Sequence, residues 1–295
     1  MTQTSGQTVA FLGVGQMGAP MARRLIAAGF ALRVWDRTPG RTATLVDAGA
    51  QRATTPAQAA KGADFIITML PDGATVESVM SGDQGALLTS PEGALWLQMS
   101  TVGVDWTTTL CDLARENGVH FVDAPVSGSV APATNGRLVI LASGPSEYHG
   151  PSTPVLEAMG RIVWLGDVGA GSAVKLVLNN WLADIVEATV EMIRFSEALG
   201  LDPHAVVDVL EGLPIGSPFG VAKARQMLAG DLAPSFALKH ALKDVDLSIQ
   251  SAGARGVNLL LSESFVDSWH RAVDSGFGDR DVSAVFAAET SRPAT

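Results

Sequence analysis

The chain has 295 residues and a formal net charge of −10 at pH 7, and 47% of its residues are apolar while 17% are charged. This length allows two hydrophobic cores, and the composition excludes a disordered chain. The negative charge argues against nucleic acid as the main partner, and the apolar run from Phe65 to Leu70 is far too short to span a membrane. A small molecule is therefore the expected partner.

The N-terminus lacks the positive start and the long apolar stretch of a signal peptide, so we expect a cytoplasmic protein. The single cysteine, Cys111, excludes an internal disulfide and offers no metal cluster. We expect no bound metal.

Predicted strands and helices alternate along the first half of the chain. From Thr8, the strand TVAFLG is followed by the helical segment QMGAPMARRLIAAG and the strand FALRVWD. Further strands are predicted at 64–70, 94–98, 120–122, 137–141 and 162–164, with helices at 56–61, 104–117 and 146–158. Repeated alternation of this kind indicates a doubly wound, Rossmann-type parallel sheet with helices on both faces.

Only helices are predicted after Gly166, at 172–199, 203–212, 217–229, 235–252 and 257–274. The predicted fold class is therefore α/β plus all-α, with a Rossmann domain at 1–166 and an all-helical domain at 167–295. A helix over 172–199 would be about 45 Å long at 1.5 Å per residue, which is more than a small domain needs. We expect this long inter-domain helix to lie between two bodies.

A glycine-rich loop separates the first strand from the first helix. The loop consists of Gly13, Val14, Gly15, Gln16, Met17 and Gly18. In this position Gly13 permits a tight turn, Gly15 lets the backbone approach a pyrophosphate, and Gly18 lets helix and strand pack closely. The loop predicts a dinucleotide site.

Asp36 ends the second strand about twenty residues further on, where a contact to the ribose is expected. Asp36 alone favours NAD, because a carboxylate repels a 2′-phosphate. Arg37, Thr38 and Arg41 favour NADP, because guanidinium groups and a hydroxyl bind phosphate. The sequence leaves NADP and NAD nearly even.

Two segments that follow later strands are candidates for the wall of the cofactor site. They supply Met69, Leu70, Pro71 and Thr101. Ligands of such sheets bind beyond the carboxyl ends of the strands, although plain turns explain each segment equally well.

Lys175 and Asn179 lie one turn apart on the long helix, among Val, Leu and Trp residues. A lysine in such surroundings either serves a function or extends past the apolar surface to water, and the helix alone does not decide between the two.

Four motifs occur in one order along the chain: GVGQMGAPMA, DAPVSG from Asp123, KLVLNN on the long helix, and Lys243-Asp244 in FALKHALKD. With these motifs the chain resembles the β-hydroxyacid dehydrogenases, a group that includes 3-hydroxyisobutyrate dehydrogenase, glyoxylate/succinic semialdehyde reductase and tartronate semialdehyde reductase. The resemblance covers roughly residues 8 to 285.

The resemblance implies that Lys175 is the catalytic lysine and that Ser127 and Gly128 hold the substrate carboxylate. It also implies that Asn179 hydrogen-bonds the substrate, and that Lys243 closes over cofactor and substrate. Two further residues are site candidates: Asp244, which matches the neighbouring acid of the family, as a cofactor contact, and Trp181, as a wall of the substrate pocket.

The implied reaction is hydride transfer with NAD(P) between a small 3-hydroxy acid, or 2-hydroxy acid, and its semialdehyde or oxo acid. Negative charge builds on the carbonyl oxygen during this transfer, so a proton donor is required, and Lys175 can be that general acid or base. Its apolar neighbours Val174, Leu176 and Val177 are expected to disfavour its charged form.

Three positions depart from the family pattern and leave the substrate undecided: Gln98, Ser129 and Arg137. Leu178 replaces the histidine of the Lys-x-x-His-Asn helix of 6-phosphogluconate dehydrogenase, which argues against that activity. Two alternatives stay open. One is an imine reductase-like, NADPH-dependent enzyme that reduces C=N bonds, although the lysine position is usually aspartate or tyrosine there; the other is a non-catalytic nucleotide-binding protein.

Apolar residues of the long helix point in several directions, so they cannot all face one domain. These residues are Trp181, Ile185, Val190 and Met192. We therefore expect a homodimer or homotetramer.

Overall fold

A computed structural model describes residues 6–290, and for residues 289 and 290 it describes the backbone only. The ends of the two predicted domains, 1–5 and 291–295, lie outside the described residues. The chain divides into two compact units between Lys175 and Leu176, within one long helix. The predicted boundary at 166/167 precedes this helix and stays a prediction.

The strands and helices alternate as expected in the first unit. The strands are β1 (Thr8–Leu12), β2 (Ala31–Trp35), β3 (Gln51–Arg52), β4 (Phe65–Thr68), β5 (Leu95–Gln98), β6 (His120–Asp123), β7 (Val126–Ser127), β8 (Leu138–Ala142) and β9 (Gly160–Trp164). The helices up to the division are α1 (Gly18–Ala27), α2 (Ala43–Val46), α3 (Pro56–Ala60), α4 (Gly73–Ser81), α5 (Val104–Glu116), α6 (Val130–Thr134), α7 (His149–Glu157) and the beginning of α8 (Ala170–Ala198).

Six strands form a parallel sheet in the order β3-β2-β1-β4-β5-β6. Strands β2 and β3 extend the sheet on one side of β1, and strands β4 to β6 extend it on the other side. Ligands of doubly wound sheets bind at the switch point between two such halves, which here lies between β1 and β4. Strands β4 and β5 are buried along their whole length, as expected for strands with helices on both faces. The predicted Rossmann sheet is confirmed.

The last three strands form a separate sheet in the order β7-β8-β9. The alternation along the sequence predicted a single sheet, and this part of the prediction is wrong. Only two residues separate β6 from β7, which is far too few for the crossover that a parallel neighbour needs, and β7 instead pairs antiparallel with β8. An antiparallel bridge between Asp123 and Ser143 connects the ends of β6 and β8.

Helix α4 lies between β4 and β5, where the alternation predicts a helix, although its sequence GATVESVMS begins with glycine and contains three β-branched residues. The side chain of Asp72 caps this helix by accepting a hydrogen bond of 2.7 Å from the N–H of Thr75.

The second unit consists of helices around their own core. They are the rest of α8, α9 (Pro203–Glu211), α10 (Pro218–Leu228), α11 (Leu238–Gly253), α12 (Leu260–Ala272) and α13 (Ala284–Thr290). Val190 is 2% exposed and packs into this core, so it does not support self-association, whereas Trp181 is 63% exposed. In the described part of the chain, none of the helices is both long enough and apolar enough to cross a membrane.

Candidate active site

The glycine loop has the geometry that its sequence predicts. A Cβ at Gly13, where φ is 98°, would overlap the carbonyl oxygen of Met69, and a Cβ at Gly18 would overlap the carbonyl oxygen of Gly13. A Cβ at Gly15 would meet no atom within 4 Å. Gly13 and Gly18 are therefore required by packing inside the protein, while Gly15 faces open space where a ligand can approach the backbone.

Two hydrogen bonds tie this loop to the end of β2. The N–H of Gly13 donates to the Trp35 carbonyl over 2.9 Å, and the N–H of Val14 donates to Asp36 Oδ2 over 3.1 Å. The N–H of Thr38 donates to Asp36 Oδ1 over 2.8 Å. The carboxylate of Asp36 is thus held in a fixed orientation beside the loop.

Two arginines lie close to Asp36 in the sequence. Arg41 Nη1 lies 3.8 Å from Asp36 Oδ1, and the arginine side chain is 60% exposed. Arg37 is exposed as well. The Asp36 carboxylate and the Arg41 guanidinium therefore lie together near the predicted ribose position, and Arg37 directly follows Asp36 in the chain. This arrangement is compatible with NAD and with NADP.

The wall candidates lie at the carboxyl ends of β4 and β5. Met69, Leu70 and Thr101 are half-buried, and Pro71 is exposed. The N–H of Leu70 donates to Ser100 Oγ over 2.9 Å, which links the two strand ends.

Gln98 helps to link the two strand ends of this wall, a role that the amino-acid sequence did not suggest. Its Nε2 donates to the Ser100 carbonyl over 2.8 Å, and its Oε1 accepts from the Ser100 N–H over 2.8 Å and from Thr68 Oγ1 over 3.2 Å. The family often has aspartate here, and glutamine replaces the charge by an amide that both donates and accepts. A signal was present in the sequence, since polar residues at the ends of adjacent buried strands need partners.

These residues fit a dinucleotide cofactor. The open space at Gly15 and the N-terminus of α1, whose N-cap Met17 makes no side-chain cap, suit a pyrophosphate. Exposed Gln16 lies in the same loop, and the oriented carboxylate of Asp36 suits ribose hydroxyls.

The two candidates for binding a carboxylate lie on and after β7. Ser127 is half-buried and pairs with Val139 of β8. Gly128 is exposed and has a φ of 127°, and a Cβ there would come within 3.0 Å of Leu138 Cδ2. Glycine is thus required at 128. The Ser127 hydroxyl and the Gly128 N–H belong to consecutive residues at this edge of the sheet.

Lys175 lies on α8 with only 9% of its surface exposed. The buried carboxylate of Asp123, at the end of β6, accepts hydrogen bonds of 2.8 Å from the N–H and the Oγ of Ser172, at the start of the same helix. Burial raises the pKa of Asp123 to about 6, against the lowering effect of its hydrogen bonds with Ser172, Ser143 and Gly169. Neither spacing nor periodicity in the sequence indicates this role of Asp123.

In the second unit the structure brings together Asn179, Asp244 and Lys243. Asn179 Nδ2 donates to Asp244 Oδ2 over 2.5 Å, and Lys243 Nζ lies 2.8 Å from Asp244 Oδ1. Asp244 is 3% exposed and Asn179 is 6% exposed. The buried carboxylate therefore holds both the amide and the ammonium in place.

Trp181 is placed apart from these residues. It lies six residues after Lys175, which is about 120° around the axis of an α-helix. Its exposure of 63% contrasts with the burial of Lys175 and Asn179. Its predicted contact with substrate stays a prediction.

Both halves of the chain match known family models. Residues 8–166 match the NAD binding domain of 6-phosphogluconate dehydrogenase, and residues 169–288 match a model described as NAD-binding of NADP-dependent 3-hydroxyisobutyrate dehydrogenase.

Individual proteins match over nearly the full length. The 3-sulfolactaldehyde reductase of Escherichia coli is 37% identical, with 94% of each chain covered. Glyoxylate/succinic semialdehyde reductase 2 of Arabidopsis thaliana is 33% identical, with 95% of this chain and 79% of the relative covered. The structure of 3-hydroxyisobutyrate dehydrogenase from Mycobacterium tuberculosis with L-serine is 30% identical, with a TM-score of 0.86 and coverage of 96% of this chain and 99% of the other.

These matches cover both the glycine loop of the first unit and the Lys175 helix, and they agree with the strand order and the helical second unit. The chain therefore belongs to the β-hydroxyacid dehydrogenase family and is an NAD(P)-dependent oxidoreductase.

Proposed function

We propose that this enzyme interconverts a small hydroxy acid and its semialdehyde or oxo acid, with Lys175 as the general acid and base. The observation that carries the proposal is the burial of Lys175, with 9% exposure, one helical turn before a buried Asn179 that is held by Asp244. A buried lysine is costly, and burial disfavours its charged form, which suits a group that gives and takes a proton.

The bound cofactor supplies or accepts the hydride. In the reducing direction Lys175 Nζ donates a proton to the carbonyl oxygen as negative charge develops there, and in the oxidising direction it accepts the hydroxyl proton. Each direction therefore needs the other protonation state of the same nitrogen.

Four further residues would orient the substrate. The hydroxyl of Ser127 and the N–H of Gly128 are donors suited to a carboxylate. Asn179 uses one N–H on Asp244, so its second N–H and its oxygen can hold the substrate in register. The ammonium of Lys243, with a side chain 25% exposed, can complement an anionic group.

The relatives support a substrate class of small aldehydes that carry an acidic group, since their names include sulfolactaldehyde, glyoxylate and succinic semialdehyde. The test is the rate of NADH and NADPH consumption with these three compounds and with a cyclic imine. We expect turnover with at least one anionic aldehyde and slower turnover with the imine. A faster imine reaction would support the imine reductase alternative, and cofactor binding without any turnover would support a non-catalytic protein.

The cofactor preference depends on the basic residues near Asp36. We expect Arg37→Ala to raise KM for NADPH much more than KM for NADH, because only NADPH has the 2′-phosphate that a guanidinium binds. Steady-state kinetics with both cofactors measures this difference, and Arg161→Ala, an exposed arginine on β9, is the matched control. Equal effects of Arg37→Ala on the two cofactors would remove the phosphate role.

We further propose that the protein is a homodimer or homotetramer. Large apolar side chains of the second unit are more than half exposed, and four of them are Trp181, Phe195, Leu199 and Leu201. Exposed apolar side chains in such numbers are typical of surfaces that bind another protein. A monomer mass in size-exclusion chromatography with light scattering would contradict this proposal.

A further inference from the structure

We propose that Asp123 is a positioning residue, which fixes the first turn of α8 and through it the location of Lys175. The inference rests on the proposed catalytic role of Lys175. Three features support this role of Asp123: the way in which α8 begins, the packing around its first turn, and the position of Lys175 on the helix face that carries this turn.

Helix α8 has no capping side chain of its own, because it begins at Ala170 directly after Gly169. The first N–H groups of a helix have no partner within the helix. Here the N–H of Gly171 donates to Ser143 Oγ over 2.9 Å, and the N–H of Ser172 donates to Asp123 Oδ2 over 2.8 Å. Side chains from distant parts of the chain therefore cap this helix.

A second set of bonds attaches the same turn to α5. Ser172 Oγ donates to Asp123 Oδ1 over 2.8 Å, and it lies 2.9 Å from Thr107 Oγ1. Ser143 Oγ also donates to Asp123 Oδ2, over 3.1 Å. Asp123, Ser143 and Thr107 have no exposed surface, and Ser172 is 2% exposed. Buried polar networks whose members are all satisfied hold the groups that they join in one arrangement.

The first turn of α8 also fits closely against β8. A Cβ at Gly171 would overlap the carbonyl oxygen of Leu141 and would lie 3.2 Å from Asp123 Oδ2. The absence of a side chain at 171 thus lets the helix approach β8 and the Asp123 carboxylate.

Lys175 lies on the face of α8 that this network holds. It follows Gly171 by four residues and Ser172 by three, and residues at these spacings are neighbours on one side of a helix. A shift of the first turn would therefore shift the lysine. Because proton donation requires hydrogen-bond distance, a misplacement of about 1 Å can lower a rate by about 100-fold.

Asp123→Asn keeps the shape of the side chain but replaces one acceptor oxygen with an N–H₂ group, so the side chain can no longer accept from both the N–H and the Oγ of Ser172. We expect kcat to fall by roughly 10- to 100-fold while the KM for NAD(P)H is unchanged. Asp184→Asn is the control, because Asp184 lies on α8 itself and is also a carboxylate that accepts hydrogen bonds, from Asn180 and Ser262. We expect Asp184→Asn to keep its kcat.

A double-mutant cycle with Lys175→Ala separates positioning from general stability. If Asp123 acts through Lys175, then Asp123→Asn has no further effect on single-turnover NAD(P)H oxidation once Lys175 is absent. An equal loss in both backgrounds, or a normal kcat of Asp123→Asn beside an inactive Lys175→Ala, would overturn the proposal for Asp123 alone. Near-normal turnover of Lys175→Ala would instead overturn the proposed function on which it rests.

Ser143→Ala provides a second variant if Asp123→Asn does not fold. It removes the hydroxyl that accepts from the Gly171 N–H and keeps the carboxylate. We expect a smaller loss of kcat that again disappears in the Lys175→Ala background, and a loss that persists there would contradict positioning.

Discussion

Lys175→Ala is expected to lower kcat by about 10²- to 10⁴-fold, which is the usual contribution of a general acid or base. Lys175 is 9% exposed, and buried hydrogen bonds fix the first turn of its helix. Water or another side chain therefore does not readily replace it as the proton donor. Steady-state rates with the best anionic aldehyde measure the effect. Cofactor affinity, followed by NAD(P)H fluorescence, should stay nearly unchanged, because the glycine loop and Asp36 keep their geometry.

Two further variants distinguish proton transfer from packing. Lys175→Met keeps most of the side-chain volume, so it should fold like the parent protein and still lose turnover. If the loss in Lys175→Ala came only from the cavity that alanine leaves, Lys175→Met would restore turnover. Lys61→Ala removes an exposed lysine of the first unit and should leave kcat unchanged. Near-normal turnover of Lys175→Ala or Lys175→Met would end the assignment of Lys175 as the acid and base.

Most of the parallel sheet could be predicted from the sequence, because five of its strands contain a short apolar run, whereas β3 (Gln51–Arg52) is polar and exposed. The glycine loop could be predicted because its glycines stand at fixed spacing between a strand and a helix. The contact that requires Gly18 is to Gly13 in the same loop, whereas the contact that requires Gly13 is to Met69, just after β4. Apolar runs and glycine spacings are visible in a single stretch of chain.

The separate three-stranded sheet and the capping of α8 could not be predicted in the same way. The sequence shows that residues 138–142 form a strand, but it does not show which neighbour the strand pairs with. Asp123 and Ser172 are 49 positions apart, and Asn179 and Asp244 are 65 positions apart. A hydrogen bond over such a separation depends on the tertiary fold, and neither spacing nor periodicity records it.

Burial changed the interpretation of several candidates. Asp244 was predicted as a cofactor contact, but its carboxylate is 3% exposed and is held between Asn179 and Lys243. We therefore propose that Asp244 orients these two side chains, and its contact with cofactor stays a prediction. Burial and the neighbouring Lys239 and Lys243 lower the pKa of His240, which lies on the same helix as Lys243.

Lys223→Met is expected to lower the free energy of unfolding by about 3–5 kcal/mol, because it leaves a buried carboxylate without its cation. Lys223 is 5% exposed, and its ammonium forms an ion pair with Asp281, which is 0% exposed. The same carboxylate accepts hydrogen bonds from the N–H and Oγ of Ser235 and from the N–H of Ser283. The pair thus joins α10 to the segments that precede α11 and α13.

The pH dependence of unfolding gives an independent measure of this pair. Burial alone would raise the pKa of Asp281, but the Lys223 ammonium and the N–H groups of Ser283 and Ser235 lower it from 3.8 to about 2. A carboxyl with a lowered pKa contributes stability above its unfolded value, and this contribution, about 2 kcal/mol, is lost as the pH falls from about 4 to about 2. In Lys223→Met the pKa of Asp281 should rise. The free energy of unfolding of this variant should therefore no longer fall by this amount between about pH 4 and about pH 2.

Urea unfolding of both proteins between pH 2 and pH 7 measures these differences. Lys239→Met is the matched control, because Lys239 pairs with Asp279 on the surface, where solvent screens the interaction, and it should change stability little at any pH. A similar loss in the two variants would show that the Lys223–Asp281 pair is no more important than a surface pair. A large loss confined to Lys223→Met would mean that this buried pair holds the segments around α11, the helix that carries Lys243 and Asp244.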